Sequence, residues 1–218
     1  MYMPPAFRDD DRDGMLATMR ASRLANFATA TAEGPFVTPL PLFIDPDEGE
    51  HGTIYGHLAR ANPQWHIPML GDGLAIFMGP DAYVTPAWYA TKGETGKVVP
   101  TWNYVTVHAY GLVEFFDDTA RLLDAVTRLT DLHEQSRTAA WAVGDAPTDF
   151  VAAQLRGIIG LRMTITRLQG KRKMSQNRNA ADRTGVSAGL AESDRTSDQV
   201  VSTMVSVSSV RTMPNKHG

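Results

Sequence analysis

The chain has 218 residues, 43% of them apolar and 21% charged, which suffices for one domain with a substantial core. A formal net charge of −3 argues against a surface that grips nucleic acid throughout, while leaving room for a local basic patch. With no cysteine, disulfides, thiolate metal sites and a cysteine nucleophile are all excluded.

Residues 9–22 carry Met15, Leu16 and Met19 behind an acidic first turn and predict a short helix. Residues 24–31, 36–45 and 53–58 are short apolar or alternating runs separated by Glu33-Gly34-Pro35 and Pro46-Asp47-Glu48-Gly49, the pattern of antiparallel strands joined by tight turns. Asn62-Pro63 opens a short helix, because asparagine caps well and proline fits the first helical position. Residues 74–78 and 83–85 read as two strands separated by Gly79-Pro80-Asp81, and residues 86–99 as a loop.

Residues 101–116 form the longest strand expected. Val105, Val107, Ala109, Val113 and Phe115 supply an apolar face, opposite Trp102, Tyr104, Thr106, His108 and Tyr110. Asp117-Asp118 begins an amphipathic helix carrying Leu122, Val126 and Leu129, and a second helix starts near Pro147. Leu161, Met163 and Ile165 alternate with Arg162, Thr164 and Thr166 in a further strand, and residues 180–190 read as a short helix. Residues 191–218 are rich in serine and threonine and read as a mobile tail, with an edge strand at 201–207 as the alternative. Successive strands with helices gathered at one interval predict an α+β fold, mainly antiparallel, closing into a small barrel with peripheral helices. The domain spans residues 1–190. The N-terminus has no apolar core of a signal peptide, and no apolar run is long enough to span a bilayer, so a cytoplasmic location without membrane contact is expected.

General chemistries fail one by one. Thr91-Lys92-Gly93-Glu94-Thr95-Gly96-Lys97-Val98 resembles a phosphate loop, but Thr91 stands where the first glycine belongs and Val98 where Ser or Thr would hold magnesium. The six histidines form no metal-ligand cluster, and no Gly-x-Ser-x-Gly elbow is present. No metal site and no catalytic acid, base or nucleophile is assigned. Lys171-Arg172-Lys173 is the dense basic cluster, and the place where a nucleic-acid contact would fall.

Four blocks stand out: residues 55–65, 77–89, 97–111 and 170–178. They combine aromatic rings with amides, hydroxyls and cations near strand ends, the mixture that a flat phosphorylated ligand needs. Together with Met1-Tyr2-Met3-Pro4, Phe7-Arg8 and the run Val99-Pro100-Thr101-Trp102-Asn103-Tyr104, they resemble the PaiB family of FMN-binding negative transcriptional regulators over residues 1–190. That resemblance implies an FMN-binding split β-barrel related to pyridoxamine-phosphate oxidases and flavin reductases, assembled as a homodimer, with DNA as a partner by family likeness only. Carried over residue by residue, His57, Arg60 and Asn62 would lie where related barrels hold the flavin phosphate, Arg60 supplying the cation. Thr101, Trp102, Asn103 and Tyr104 would line the ring or its ribityl chain, and Lys173, Gln176 and Asn177 would close the pocket. Two other functions stay open: an FMN-dependent oxidoreductase acting on a small molecule, and a haem-binding barrel with His57 or His108 as ligand.

Overall fold

The computed structural model describes residues 1–22 and 24–207. Eight strands form one sheet: β1 Arg8–Asp9, β2 Ala25–Thr31, β3 Gly34–Leu40, β4 Leu42–Asp45, β5 Thr53–Ala59, β6 Gly73–Val84, β7 Thr101–Phe116 and β8 Ile158–Lys173. Among the described residues six α-helices accompany them: α1 Arg12–Ala21, α2 Ala90–Thr95, α3 Thr119–Glu134, α4 Thr148–Arg156, α5 Ala180–Ala191 and α6 Thr196–Val207. The strand order is β3-β2-β6-β7-β8-β5-β4, with β1 added to β8. The β1·β8, β2·β3, β2·β6, β4·β5 and β5·β8 pairs are all antiparallel. None of the described helices is long and apolar enough to cross a membrane.

The chain divides into two compact units, and β6, β7 and β8 contribute to both. The unit made of residues 12–77 and 107–168 holds the larger core, in which Phe27, Ile54, Ala109, Leu161 and Met163 are wholly buried. Its tightest polar knot is Gln64. The Gln64 amide donates to the Phe27 and Phe36 carbonyls and to the Thr29 hydroxyl, and its oxygen accepts from Thr38 at 2.6 Å. Every hydrogen-bonding group of a buried amide is thereby met, which avoids a penalty of about 1–3 kcal/mol for each orphan. Helix α3 packs Leu122 and Ala125 against Phe116 and Leu155 and is capped by Asp118, whose carboxylate accepts from the Arg121 N–H.

The second unit comprises residues 1–11, 78–106 and 169 onward. Its core joins Val84, Tyr89, Val105 and Met174 to Val186 and Leu190 of α5 and to Val201 and Val205 of α6. Residues 196–207 thus correct the expectation of a mobile tail. Their serine and threonine content conceals a fully buried apolar pair at i, i+4, Val201 and Val205, with Met204 packed beside it, and the Ser187 and Ser202 hydroxyls bond across the two helices. The edge-strand alternative for residues 201–207 is likewise replaced by helix; the tail beyond 207 lies outside the described residues.

Two further expectations shift. Residues 73–84 form one strand instead of two, because the β2 ladder on β6 covers only Leu74–Ile76 and no N–H is required of Pro80 on that side. Residues 86–99, expected as loop, contain a 3₁₀ turn at Pro86–Trp88 and the helix α2, which Gly96 ends at φ 65°. Trp88 packs on α5, where only glycine fits. A Cβ on Gly185 would come within 2.0 Å of the Trp88 carbonyl oxygen, and one on Gly189 within 2.2 Å of its indole.

This packing and burial give three expected outcomes. Gly185→Ala meets backbone, so it should cost about 1–3 kcal/mol in urea unfolding despite the better helix propensity of alanine. Gly93→Ala in α2 meets nothing within 4 Å and should be neutral or stabilising by up to ~1 kcal/mol. His57 and His108 each bury an Nδ1 without a hydrogen-bond partner, and burial holds both imidazoles below their ordinary value of 6.5. The unfolded chain takes up those protons near pH 6.5 while the folded chain resists. Stability should therefore be complete above that value and fall as pH drops through the lowered folded values. Urea midpoints between pH 8 and 5 test this, and the double variant His57→Gln/His108→Gln should flatten the slope.

Candidate functional site

The expected site residues fall into two groups, one in each unit. His57, on β5, is half-buried, with its Nδ1 unpartnered. Arg60 follows the end of that strand. Its Nε donates to the Arg156 carbonyl at 2.8 Å, and its Nη1 lies 3.6 Å from an Asp117 carboxylate oxygen. Asn62 caps the turn at Pro63–Trp65, accepting from the Gln64 N–H at 3.0 Å and donating to the Thr38 hydroxyl at 3.0 Å. Each polar function of Asn62 is thus already engaged in holding the turn, and Arg60 already faces a carboxylate.

The second group surrounds a cleft of about 280 Å³ lined by Phe7, Tyr89, Val99, Pro100, Thr101, Asn103, Lys173, Ser175, Asn177 and Arg178. Of the seven residues expected in this unit, Thr101, Asn103, Lys173 and Asn177 line it. Strand alternation explains why two others do not: successive β7 side chains point to opposite faces, so Thr101 and Asn103 turn in while Trp102 and Tyr104 turn away. Trp102 instead sets its ring edge-on to Tyr83 at 5.8 Å, and Tyr104 lies 5.3 Å beneath the Lys171 ammonium. Gln176 serves as a brace: its oxygen accepts from the Met174 N–H and its amide donates to the Arg172 carbonyl.

That brace holds a sharp turn. Ser175 adopts φ 58°, a left-handed conformation that costs a residue with a side chain about 1–3 kcal/mol. Its hydroxyl exchanges hydrogen bonds with the buried Asn103 amide at 3.0 and 3.2 Å, which fixes β7 against the turn. The Lys173 ammonium donates to the Thr101 hydroxyl, and burial together with the Lys171 and Arg178 charges holds it below the usual lysine value. Arg178 lies over the Tyr89 ring at 4.4 Å, and burial pushes the Tyr89 hydroxyl up while Arg178 opposes that shift.

The three expected nucleic-acid contacts are all used internally. Lys171 is 9% exposed and donates to the Tyr2 carbonyl at 3.2 Å, Arg172 pairs with Asp9 at 3.0 Å, and Lys173 faces the cleft. Phe7, Tyr89, Ser175 and Arg178 line the cleft but were not assigned to the site from the sequence. The signal was present for all four, since Phe7 belongs to the opening Phe7-Arg8, Tyr89 to the block 77–89, and Ser175 and Arg178 to the block 170–178.

Residues 1–167 match the family model described as "Putative FMN-binding domain". The protease synthase and sporulation protein PAI 2 of Bacillus subtilis is 30% identical over 183 residues, covering 84% of this chain and 85% of that protein. An uncharacterised protein of Emericella nidulans is 36% identical over 184 residues, 72% of each chain. Among solved structures, the FAD and haem binding protein from Mycobacterium smegmatis superposes with a TM-score of 0.58 at 16% identity, covering 84% of this chain and 80% of that one, a likeness of fold. The mainly antiparallel α+β split barrel expected from the sequence is the fold observed. The chain belongs to the PaiB family of FMN-binding proteins, and FMN is its cofactor.

Proposed function

We propose that this protein is an FMN-binding regulator of the PaiB type, cytoplasmic and homodimeric, whose output is set by cofactor occupancy and not by turnover. The observation that carries this reading is the make-up of the cleft. Thr101, Asn103, Ser175 and Asn177 offer hydroxyls and amides, Lys173 and Arg178 offer cations, and Phe7 and Tyr89 offer rings, but no carboxylate or imidazole lines it. Such a lining suits a flat, polar-edged, anionic ligand; it supplies binding and orientation without a general acid or base. Bound FMN would supply electron transfer, with Thr101, Asn103 and Asn177 orienting its polar edge.

The name of the Bacillus subtilis relative refers to protease synthesis and sporulation, processes and not a reaction, which also supports a regulatory role. The FMN-dependent oxidoreductase remains the second reading, since a flavin in this fold brings its own redox chemistry. A haem site is the weaker third reading, favoured by the name of the Mycobacterium smegmatis structure and by the unpartnered Nδ1 atoms of His57 and His108.

FMN at about 100 times its dissociation constant should add about 2.7 kcal/mol of stability and raise the melting temperature by about 5–10 °C, while quenching tryptophan fluorescence. NAD(P)H consumption should stay at the rate of free flavin. DNA fragments cross-linked to the protein in cells should differ between the wild type and a variant unable to bind FMN. Steady NAD(P)H turnover well above free flavin, with no recovered DNA, would replace the regulator by the oxidoreductase, and a Soret band on adding haem would favour the third reading.

A further inference from the structure

We propose that Lys173 is a carbonyl-capture site: its amine condenses with the aldehyde or ketone carbon of a small oxo acid, whose carboxylate Arg178 receives. The amine nitrogen forms a C=N bond to the carbonyl carbon and the carbonyl oxygen leaves as water, so no oxidant or reductant takes part. The family resemblance gives the flavin phosphate to Arg60 at the turn after β5, and the capture draws on residues that the phosphate does not use.

Three observations converge on Lys173. The first is its place. The side chain is half-buried and lines the cleft with Phe7, Val99 and Pro100, apolar walls that limit water around the amine. Its nitrogen is bonded to the Thr101 hydroxyl and lies 5.8 Å from the Phe7 ring, which fixes it at the cleft wall.

The second is the company of like charges. Lys171 has the Tyr2 carbonyl and two aromatic faces, and Arg172 has Asp9. Among the described residues no carboxylate pairs with Lys173, and none lines the cleft. Burial and the Lys171 and Arg178 charges favour the neutral amine, the form whose lone pair attacks a carbonyl. Desolvation and a neighbouring cation are the means by which proteins ready a lysine for imine formation.

The third is the receiving end. Arg178 stands across the Ser175 turn from Lys173, and the Ser175 hydroxyl and buried Asn103 amide lock that turn by exchanging hydrogen bonds. Arg178 is itself held over the Tyr89 ring at 4.4 Å. Amine and guanidinium are thus placed before any ligand arrives. A guanidinium meets a carboxylate with two parallel N–H donors, a match that a neutral aldehyde lacks. The cleft volume of about 280 Å³ falls at the lower end of small-molecule pockets, roughly 300–1,000 Å³, which suits a compact oxo acid.

The probe is glyoxylate, an aldehyde acid, with propionaldehyde as its uncharged counterpart. The full chain, with and without FMN, is treated with each in the presence of cyanoborohydride, which reduces an imine to a stable secondary amine. Peptide mass spectrometry then reads the rate at each lysine. Lys173 should gain the carboxymethyl group about 10-fold faster than the exposed Lys92 and Lys97, and should keep reacting at lower pH than they do. Arg178→Gln should slow the glyoxylate reaction at Lys173 about 10-fold more than the propionaldehyde reaction, and Arg178→Lys should restore part of that difference. The comparison among lysines is made within the wild-type chain, so it decides the matter should a variant fail to fold. A preference for Lys173 in either flavin state supports the capture, and its loss on adding FMN puts flavin and oxo acid in the same cleft. Labelling of Lys173 no faster than that of Lys92 and Lys97 in both states overturns the proposal. A glyoxylate rate that Arg178→Gln leaves untouched removes Arg178 from the site, and the oxo-acid assignment with it.

Discussion

The geometry of the ligand cleft depends on how three consecutive cations at the end of β8 are accommodated. A positive charge drawn out of water must be met by an opposite charge, a lone pair or an aromatic face. Arg172 takes the first solution through Asp9, Lys171 the second and third through the Tyr2 carbonyl and the faces of Tyr2 and Tyr104. Among the described residues Lys173 receives the Thr101 hydroxyl and the ring of Phe7 at 5.8 Å, and no carboxylate pairs with it. The strand end is held firmly by two of its cations, and the third, with Arg178 across the Ser175 turn, leaves the cleft electropositive.

The other unit distributes charge differently. Arg162 bonds the Glu48 carboxylate and the Tyr55 hydroxyl and lies 3.8 Å from Glu114, which in turn accepts from Arg121 at 2.7 Å. Burial works to raise the Glu48 carboxyl, yet the bonds from Tyr55 and Arg162 outweigh it and hold it below the usual carboxylate value. Arg128 pairs with Asp45 at 2.7 Å and lies over the ring of Phe43 at 4.7 Å. Each of these guanidiniums already has its counter-charge. They bind elements of the fold to one another, and an incoming anion would have to compete with a carboxylate already in place.

The sequence made the strands legible wherever alternation reached a core, as in β7, where Val105, Val107 and Ala109 are buried as expected. It misled where composition outweighed spacing. Gly79-Pro80-Asp81 read as a turn inside what is one strand, and the hydroxyl-rich 196–207 hid a helix that buries two valines one turn apart with Met204 packed beside them. At the site, the residue types were legible and their directions were not. The run from Thr101 to Tyr104 looks like one binding segment, but a strand turns only every second residue toward a given pocket. The basic cluster was visible as charge; its internal use was not, because Asp9 and Tyr2 are more than 160 residues away in the chain.

The segment before α1 has a consequence for how the cleft is maintained. Tyr2 supports Lys171, Asp9 neutralises Arg172, Phe7 forms part of the wall, and β1 pairs Arg8 and Asp9 with Lys171 and Gly170. Trimming those few residues would leave three adjacent like charges repelling one another along a strand edge stripped of its partner. The opening of the chain therefore acts as an electrostatic splint, and protein engineering that treats it as a dispensable leader would alter the receptor at its far end.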